Sequence, residues 1–382
     1  MLRAPACILI LLAAVSTALL LFAGCKAKPA GNPPVAQVAA LPPLNGYAGN
    51  AACMDCHATE CKSFTASEHN RTLRLTTHAE LGEQLPPTGP IPGTDYSVVE
   101  SEGRLAILSN QSRTKTPLDL AFGSGKNGIS FVALRGDGEF ERVRLSWFPA
   151  GHVWRVTPGM EHIETASSKA MVNGQPARDC ILCHAVTIPV QSLKLEDRYR
   201  NVGCETCHGP SADHIKAART PPSQRQYGPN DLRVRKAVGL QGADVSDMCR
   251  PCHSATRNDI GPMMETGLLK FQVNSLAKSR CFIESIGKLS CVTCHDPHGG
   301  APAGIKSFES ACLKCHSSGK TAQPSTNSVL AKPCPTNPTS GCIQCHMPAG
   351  RIFPNSDVNS IMADHWIRVH RKGVSSSNHA GR

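Results

Sequence analysis

Aromatic side chains are scarce in this 382-residue chain, which has three Trp, four Tyr and ten Phe, 4% in all. Each such ring removes about 150–250 Å² from water on burial, so a chain this poor in them must fill much of its interior with something else. Charge is missing between Arg3 and Lys26, and Cys is missing from residues 62–179. Elsewhere Cys is abundant: there are 19, with 16 His.

Fourteen of those Cys fall into seven copies of one pattern, Cys-x-x-Cys-His. The copies are Cys53/Cys56/His57, Cys180/Cys183/His184, Cys204/Cys207/His208, Cys249/Cys252/His253, Cys291/Cys294/His295, Cys312/Cys315/His316 and Cys342/Cys345/His346. Random order of this composition would give about 0.04 copies. The two middle residues differ every time, so only the reactive positions repeat. Zinc ligation does not need His directly after the second Cys, and a redox dithiol needs no His at all. Covalent haem needs all three groups: two thiols add to the porphyrin vinyls and the adjacent imidazole becomes the proximal iron ligand. The pattern therefore predicts seven covalently bound haem c groups.

Haem attachment of this kind happens outside the cytoplasm, and the N-terminus carries an export signal. Arg3 precedes an apolar run from Cys7 to Phe22, which ends in Phe-Ala-Gly-Cys at Cys25. This end resembles the lipobox of bacterial lipoproteins, in which Cys25 is the lipidated residue; an ordinary cleaved signal and an uncleaved anchor are the alternatives. Lys26 after it resembles an outer-membrane address. The expected location is the periplasmic or cell-surface face, held by a lipid anchor. Residues 26–45 are rich in Pro and Ala and read as an extended tether.

The formal charge of +11 suggests a nucleic-acid partner, but haem propionates cancel it. Seven oxidised haems add about −7 and seven reduced ones about −14, leaving about +4 and −3. No nucleic-acid partner is expected. Redox proteins are the expected partners.

From Cys180 to His346 there are fewer than thirty residues per motif, too few for each segment to bury its own core. The porphyrins must supply it, and the expected fold is mainly α and irregular, organised around stacked haems. The Cys-free part reads differently. Tyr96–Ser109 carries apolar residues on both sides of Glu102-Gly103, and Ile129/Phe131/Ala133 and Val143/Leu145/Trp147 alternate around Asp137-Gly138. A small antiparallel β insert is expected at 94–157, as packing support or as a docking or haem-shielding unit. The division is a signal segment 1–24, a tether 25–45, a first haem module 46–93, the insert, a six-haem region 158–350, and a C-terminal segment 351–382.

Nine His lie outside the motifs, close to the haem count, which points to mostly bis-His iron. His298 follows His295 by three residues and cannot reach the opposite face of the same porphyrin, so it must serve a neighbouring haem. The same reasoning applies to His214 after His208. His69, His365, His162 and His78 complete the set of candidate distal ligands. His152 falls among the strands, and His370 and His379 in a polar tail that reads as solvent-exposed. Of the remaining Cys, Cys281 and Cys334 are a possible disulfide by spacing, and Cys61 is a free thiol, a ligand or a pairing partner.

YAGNAACMDCH with Ser67–His69, NVGCETCHGPSADH, SRCFIESIGKLSCVTCHDPH, and GCIQCHMP followed by ADHWIRVH resemble bacterial multihaem cytochromes c of the cytochrome c-554 type. The resemblance covers most of residues 47–370, with a looser match from Phe122 to Met160. It implies haems in closely stacked pairs, parallel and perpendicular, and supports His69, His214, His298 and His365 as distal ligands. Smaller members of the family carry four haems, so the arrangement of seven is not supplied by it. Related folds include nitrite reductase and hydroxylamine oxidoreductase, which leaves an enzyme open.

Two functions follow. One is a membrane-tethered electron-transfer cytochrome; the alternative is a reductase acting on a small nitrogen or sulfur oxyanion at one open haem. An open site would call for a vacant iron position. No Cys-x-x-Cys-Lys occurs, and Tyr47, Tyr96, Tyr199 and Tyr227 lie in no recognisable cross-linking context. The spare His favour the carrier.

Overall fold

The computed structural model describes residues 46–134, 140–158, 160, 171–172, 181–187, 195–225, 234–236, 240, 242–254, 269–285, 288–299, 304–316, 333–352, 358 and 360–370. The signal segment with Cys25, the tether, Asp137-Gly138, Cys180, His162 and His379 lie outside them. All described residues belong to the unit Ala39–Arg382. None of their helices is long and apolar enough to cross a membrane.

The apolar alternation of the Cys-free stretch builds two antiparallel sheets. The larger joins β1 (Leu73–Leu75), β6 (Leu120–Phe122), β7 (Ile129–Leu134) and β8 (Phe140–Phe148), with β9 (Val153–Val156) and β10 (Met171–Val172) both paired to β8. The smaller runs in the order β2 (Gly89–Pro90), β3 (Tyr96–Ser101), β4 (Arg104–Ser109) and β5 (Lys115–Pro117). Glu102 and Gly103 join β3 to β4 with φ of 54° and 73°, the two left-handed residues that a tight hairpin turn demands.

Side chains leave β6, β7 and β8 on alternate faces, and each face has its own core. Ala121, Ile129, Phe131, Val143, Leu145 and Trp147 pack with Val98, Leu105 and Ile107 of the smaller sheet. Leu120, Phe122, Val132 and Phe140 point the other way and meet Leu73, Ile181 and Ala185. Ile181 is the residue after Cys180, so the second motif is laid directly on the larger sheet.

These findings overturn the expected mainly helical fold with strand confined to a small insert. Sheet structure begins at Leu73, ahead of residue 94, and recurs at Met171–Val172 and in the pair β11 (Ala349–Arg351) and β12 (Ile361–Ala363). The longest described helices, Gly242–His253 and Ile305–His316, have twelve residues each. The physical reason is that a haem motif needs only one helical turn to align its groups, while the Cys-free stretch holds enough apolar residues to close a core of its own.

Candidate haem sites

Residues at i, i+3 and i+4 share one face of a helix. Cys204–His208 and Cys342–His346 are single helical turns, and the motifs at Cys249 and Cys312 close the two twelve-residue helices. At Cys53 and Cys291 the His N–H donates to the first Cys carbonyl at 2.9 Å in both cases. Both thiols and the imidazole of one motif are thereby presented together.

The imidazoles are held by their Nδ1 atoms. His184 Nδ1 lies 2.9 Å from the Thr72 carbonyl, His208 Nδ1 2.8 Å from that of Arg235, and His346 Nδ1 3.0 Å from that of Arg368. His253 Nδ1 meets Gln272 Oε1 at 3.0 Å. A carbonyl can only accept, so each Nδ1 carries the proton and each Nε2 keeps its lone pair for a metal. Burial holds the His184 and His295 rings below the usual imidazole range, in the neutral form that ligation requires.

Four motif rings face a second imidazole from elsewhere in the chain. His57 and His214 have ring centroids 6.3 Å apart, His208 and His298 6.1 Å, His295 and His365 6.2 Å, and His253 and His69 6.1 Å. An imidazole nitrogen sits about 2.0–2.1 Å from a metal, and its ring centre about 1.1 Å behind that. Two rings on opposite sides of one ion are then about 6.2–6.4 Å apart, too far for direct contact and right for an iron between them. Two His alone do not make a zinc site, which takes four ligands.

Each partner ring is placed by local structure. His214 lies in the helix Ala212–Arg219, and the His298 N–H donates to Asp296 Oδ1 at 2.9 Å. Buried Ser279 donates through Oγ to the His365 carbonyl at 3.1 Å and accepts from the Ile367 N–H at 2.8 Å. His69 stacks on Phe64 at 6.5 Å. Desolvation, reinforced by His253, lowers the His69 pKa, and desolvation lowers that of His365.

The thiols of different motifs also meet. As free thiols, before any haem is attached, Cys53 hydrogen-bonds to Cys204, which holds Cys204 down at about 7 and pushes Cys53 up. Cys249 does the same for Cys291, held at about 6. The Cys252 thiol is pushed up by its hydrogen bond with Cys183, which donates to the Pro251 carbonyl at 3.7 Å. Burial, with Cys342 nearby, pushes Cys312 up to about 12. Such contacts bring the first motif to the third, the fourth to the second and fifth, and the sixth to the seventh.

Cys56 and Cys345, the second thiols of the first and seventh motifs, are exposed, and so is Cys315 of the sixth. The first thiols of the same motifs, Cys53, Cys342 and Cys312, are partly buried. Cys53 turns to Cys204, and Cys312 and Cys342 turn to each other. Cys207, Cys252 and Cys294 are partly buried.

Other expected residues fall elsewhere. His78 is exposed at the start of the helix His78–Leu81. His184 packs edge-on against Phe122 at 5.2 Å, and exposed His152 against Trp147 at 6.0 Å. Cys281 and Cys334 are both free: the field at Cys281 comes from Cys294 and Cys315, and Cys334 acts on Cys342, so no disulfide joins them. Cys61 is buried and hydrogen-bonds to Cys204. His370 is not the solvent-exposed residue its tail suggested: its ring bonds the His346 main chain, and its Nε2 is buried without a hydrogen-bond partner. Its position five residues after His365 gave no signal of this.

Thiol pairs followed by an imidazole, with second imidazoles across an iron-sized gap, define a c-type cytochrome with several haems. Residues 152–209 of the chain match the family described as cytochrome c554 and c-prime. The chain is also similar to the outer cell wall cytochrome OcwA, with a TM-score of 0.48 and 16% identity over 85% of this chain and 80% of that one. A second similar structure is the undecahaem cytochrome from the S-layer of Carboxydothermus ferrireducens, with a TM-score of 0.38 and 16% identity over 87% of this chain and 53% of that one. No curated protein matches the chain.

Proposed function

We propose that this chain is an exported seven-haem cytochrome, held to a membrane by lipid on Cys25, that relays electrons between redox proteins through closely spaced, mostly bis-His haems. Bound haem c supplies a one-electron Fe(III)/Fe(II) couple at each motif. The observation that carries the reading is the four imidazole pairs at 6.1–6.3 Å. In it, His57 works with His214, His208 with His298, His253 with His69, and His295 with His365. Every second imidazole comes from beyond the motif it serves, so the chain ties neighbouring sites together.

The residues do three things for electron transfer. Two imidazole nitrogens from each pair would hold a haem iron in both oxidation states, which would keep reorganisation small. Nδ1 hydrogen bonds to main-chain carbonyls fix the rings and raise their basicity, favouring low potentials. Thiol-to-thiol contacts between motifs bring the attachment edges of neighbouring groups together, as a relay requires.

The test is holoprotein purified from a bacterial host that matures c-type cytochromes. Intact mass and a pyridine haemochrome assay should give seven haems per chain, with the mass of a lipidated Cys25 N-terminus, and EPR should be dominated by low-spin ferric iron. A count below seven would overturn the haem number. A strong high-spin ferric signal would mark an open iron and turn the reading toward a reductase of small oxyanions.

A further inference from the structure

Glu205 stands between Cys204 and Cys207, at a position for which the attachment chemistry has no requirement. It is nevertheless 2% exposed. Its Oε1 accepts from the Ala48 N–H at 2.9 Å, the Ser211 N–H at 2.9 Å and the Ser211 hydroxyl at 2.7 Å, and its Oε2 from the Gly49 N–H at 2.7 Å. Four donors on two oxygens suit an ionised carboxylate, which is acceptor-only.

Among the described residues no Lys, Arg or His forms an ion pair with Glu205. Arg198, within its field, is half exposed and engaged with Glu196 at 2.8 Å and with the Tyr199 ring at 4.6 Å. Tyr47 and Tyr199 also feel Glu205, and burial raises both their pKa values, leaving them neutral. The carboxylate is therefore held by three main-chain N–H groups and one hydroxyl, neutral dipoles that stabilise it without cancelling its field at a distance.

That field falls where two haem sites meet. Ala48 and Gly49 lead into the turn Asn50–Cys53, Cys53 bonds to Cys204, and Glu205 acts on both sulfurs. Ferric iron carries one more positive charge than ferrous iron, so a nearby fixed anion favours the oxidised state. We infer that Glu205 is a potential-setting residue for the first and third haem sites, lowering the midpoint of both through one buried carboxylate. This rests on haem occupying the motifs at Cys53 and Cys204, which the haem count settles independently.

The experiment is a spectroelectrochemical titration of holoprotein carrying Glu205→Gln and, separately, Glu205→Asp, each first shown to hold the parent number of haems. In Glu205→Gln the two affected midpoints should rise by about a tenfold change in the ferric-to-ferrous ratio, which is about 59 mV for a one-electron couple. Low-spin EPR should be retained. Glu205→Asp keeps the charge while shortening the hydrogen-bonded reach, and its midpoints should stay near those of the parent. Unchanged midpoints in Glu205→Gln, or equal rises in both variants, would show a purely structural pin and overturn the inference. Should Glu205→Gln yield no holoprotein, the Asp variant decides: parent-like midpoints support the inference and raised ones refute it.

Discussion

The angles between facing imidazoles make a prediction about magnetic spectra. A planar imidazole donates π density to iron only perpendicular to its ring, which splits the two iron d orbitals that contain the axis. Coplanar rings reinforce the splitting and perpendicular rings cancel it, so it follows the cosine of the interplanar angle. The pairs His208/His298, His295/His365 and His57/His214 stand at 7°, 22° and 32°, giving about 0.85–0.99 of the coplanar splitting for bis-His iron. The pair His253/His69 stands at 70°, giving about 0.3 of it. Low-temperature EPR of the oxidised holoprotein should show rhombic low-spin signals from the first three pairs and a strongly anisotropic signal, with a large maximum g, from the fourth. His69→Ala should remove that last component and replace it with high-spin iron amounting to one haem per chain. If the anisotropic signal survives His69→Ala unchanged, the pairing of His69 with His253 across iron is wrong.

Three further outcomes test the scaffold. Ile181, fully buried between the second motif and the larger sheet, should cost about 2–5 kcal/mol when replaced by Ala, read as a lower unfolding midpoint of the holoprotein; no change would mean that the motif does not lean on the sheet. Arg200 takes a two-pronged hydrogen bond to Glu80, at 2.6 and 2.9 Å, and a further one to Asp197 at 3.1 Å. Glu80→Ala leaves this largely buried guanidinium short of a partner and should cost about 1–3 kcal/mol, measurable by chemical denaturation. Desolvation depresses the pKa values of His69, His184, His295 and His365 in the fold. The unfolded chain therefore binds more protons below its ordinary His value of about 6.5, so stability should fall as pH drops through about 6.5 toward 5 and stay level above it. A flat profile in that range would mean the rings are not buried neutral.

The motifs were legible because their chemistry is local: one turn of chain carries both thiols and the imidazole. The spacing of His214 and His298 pointed to neighbouring motifs, and their rings lie 6.3 and 6.1 Å from those of His57 and His208. The sheets were less legible. β1, β5 and β6 have three residues each and β2 and β10 two, too short for any periodicity to register, and they become strands only by pairing, β2 with β3, β5 with β4, β6 with β7, β10 with β8 and β1 with β6. Low aromatic content also misled, because nine of the seventeen aromatic residues lie in 46–158, where Phe131, Trp147 and Trp154 make a dense local core. Glu205 could not be singled out, because its four donors arrive from residues 48, 49 and 211 and the spacing between Cys204 and Cys207 accepts any residue. Cys61 gained meaning only through its contact with Cys204.

Iron positions in the holoprotein test the account most directly. Anomalous scattering at the iron edge should place one iron midway between the rings of His57 and His214, of His208 and His298, of His253 and His69, and of His295 and His365. Iron found beside any of these motif imidazoles with the named partner ring turned away, or no iron between them, would contradict it.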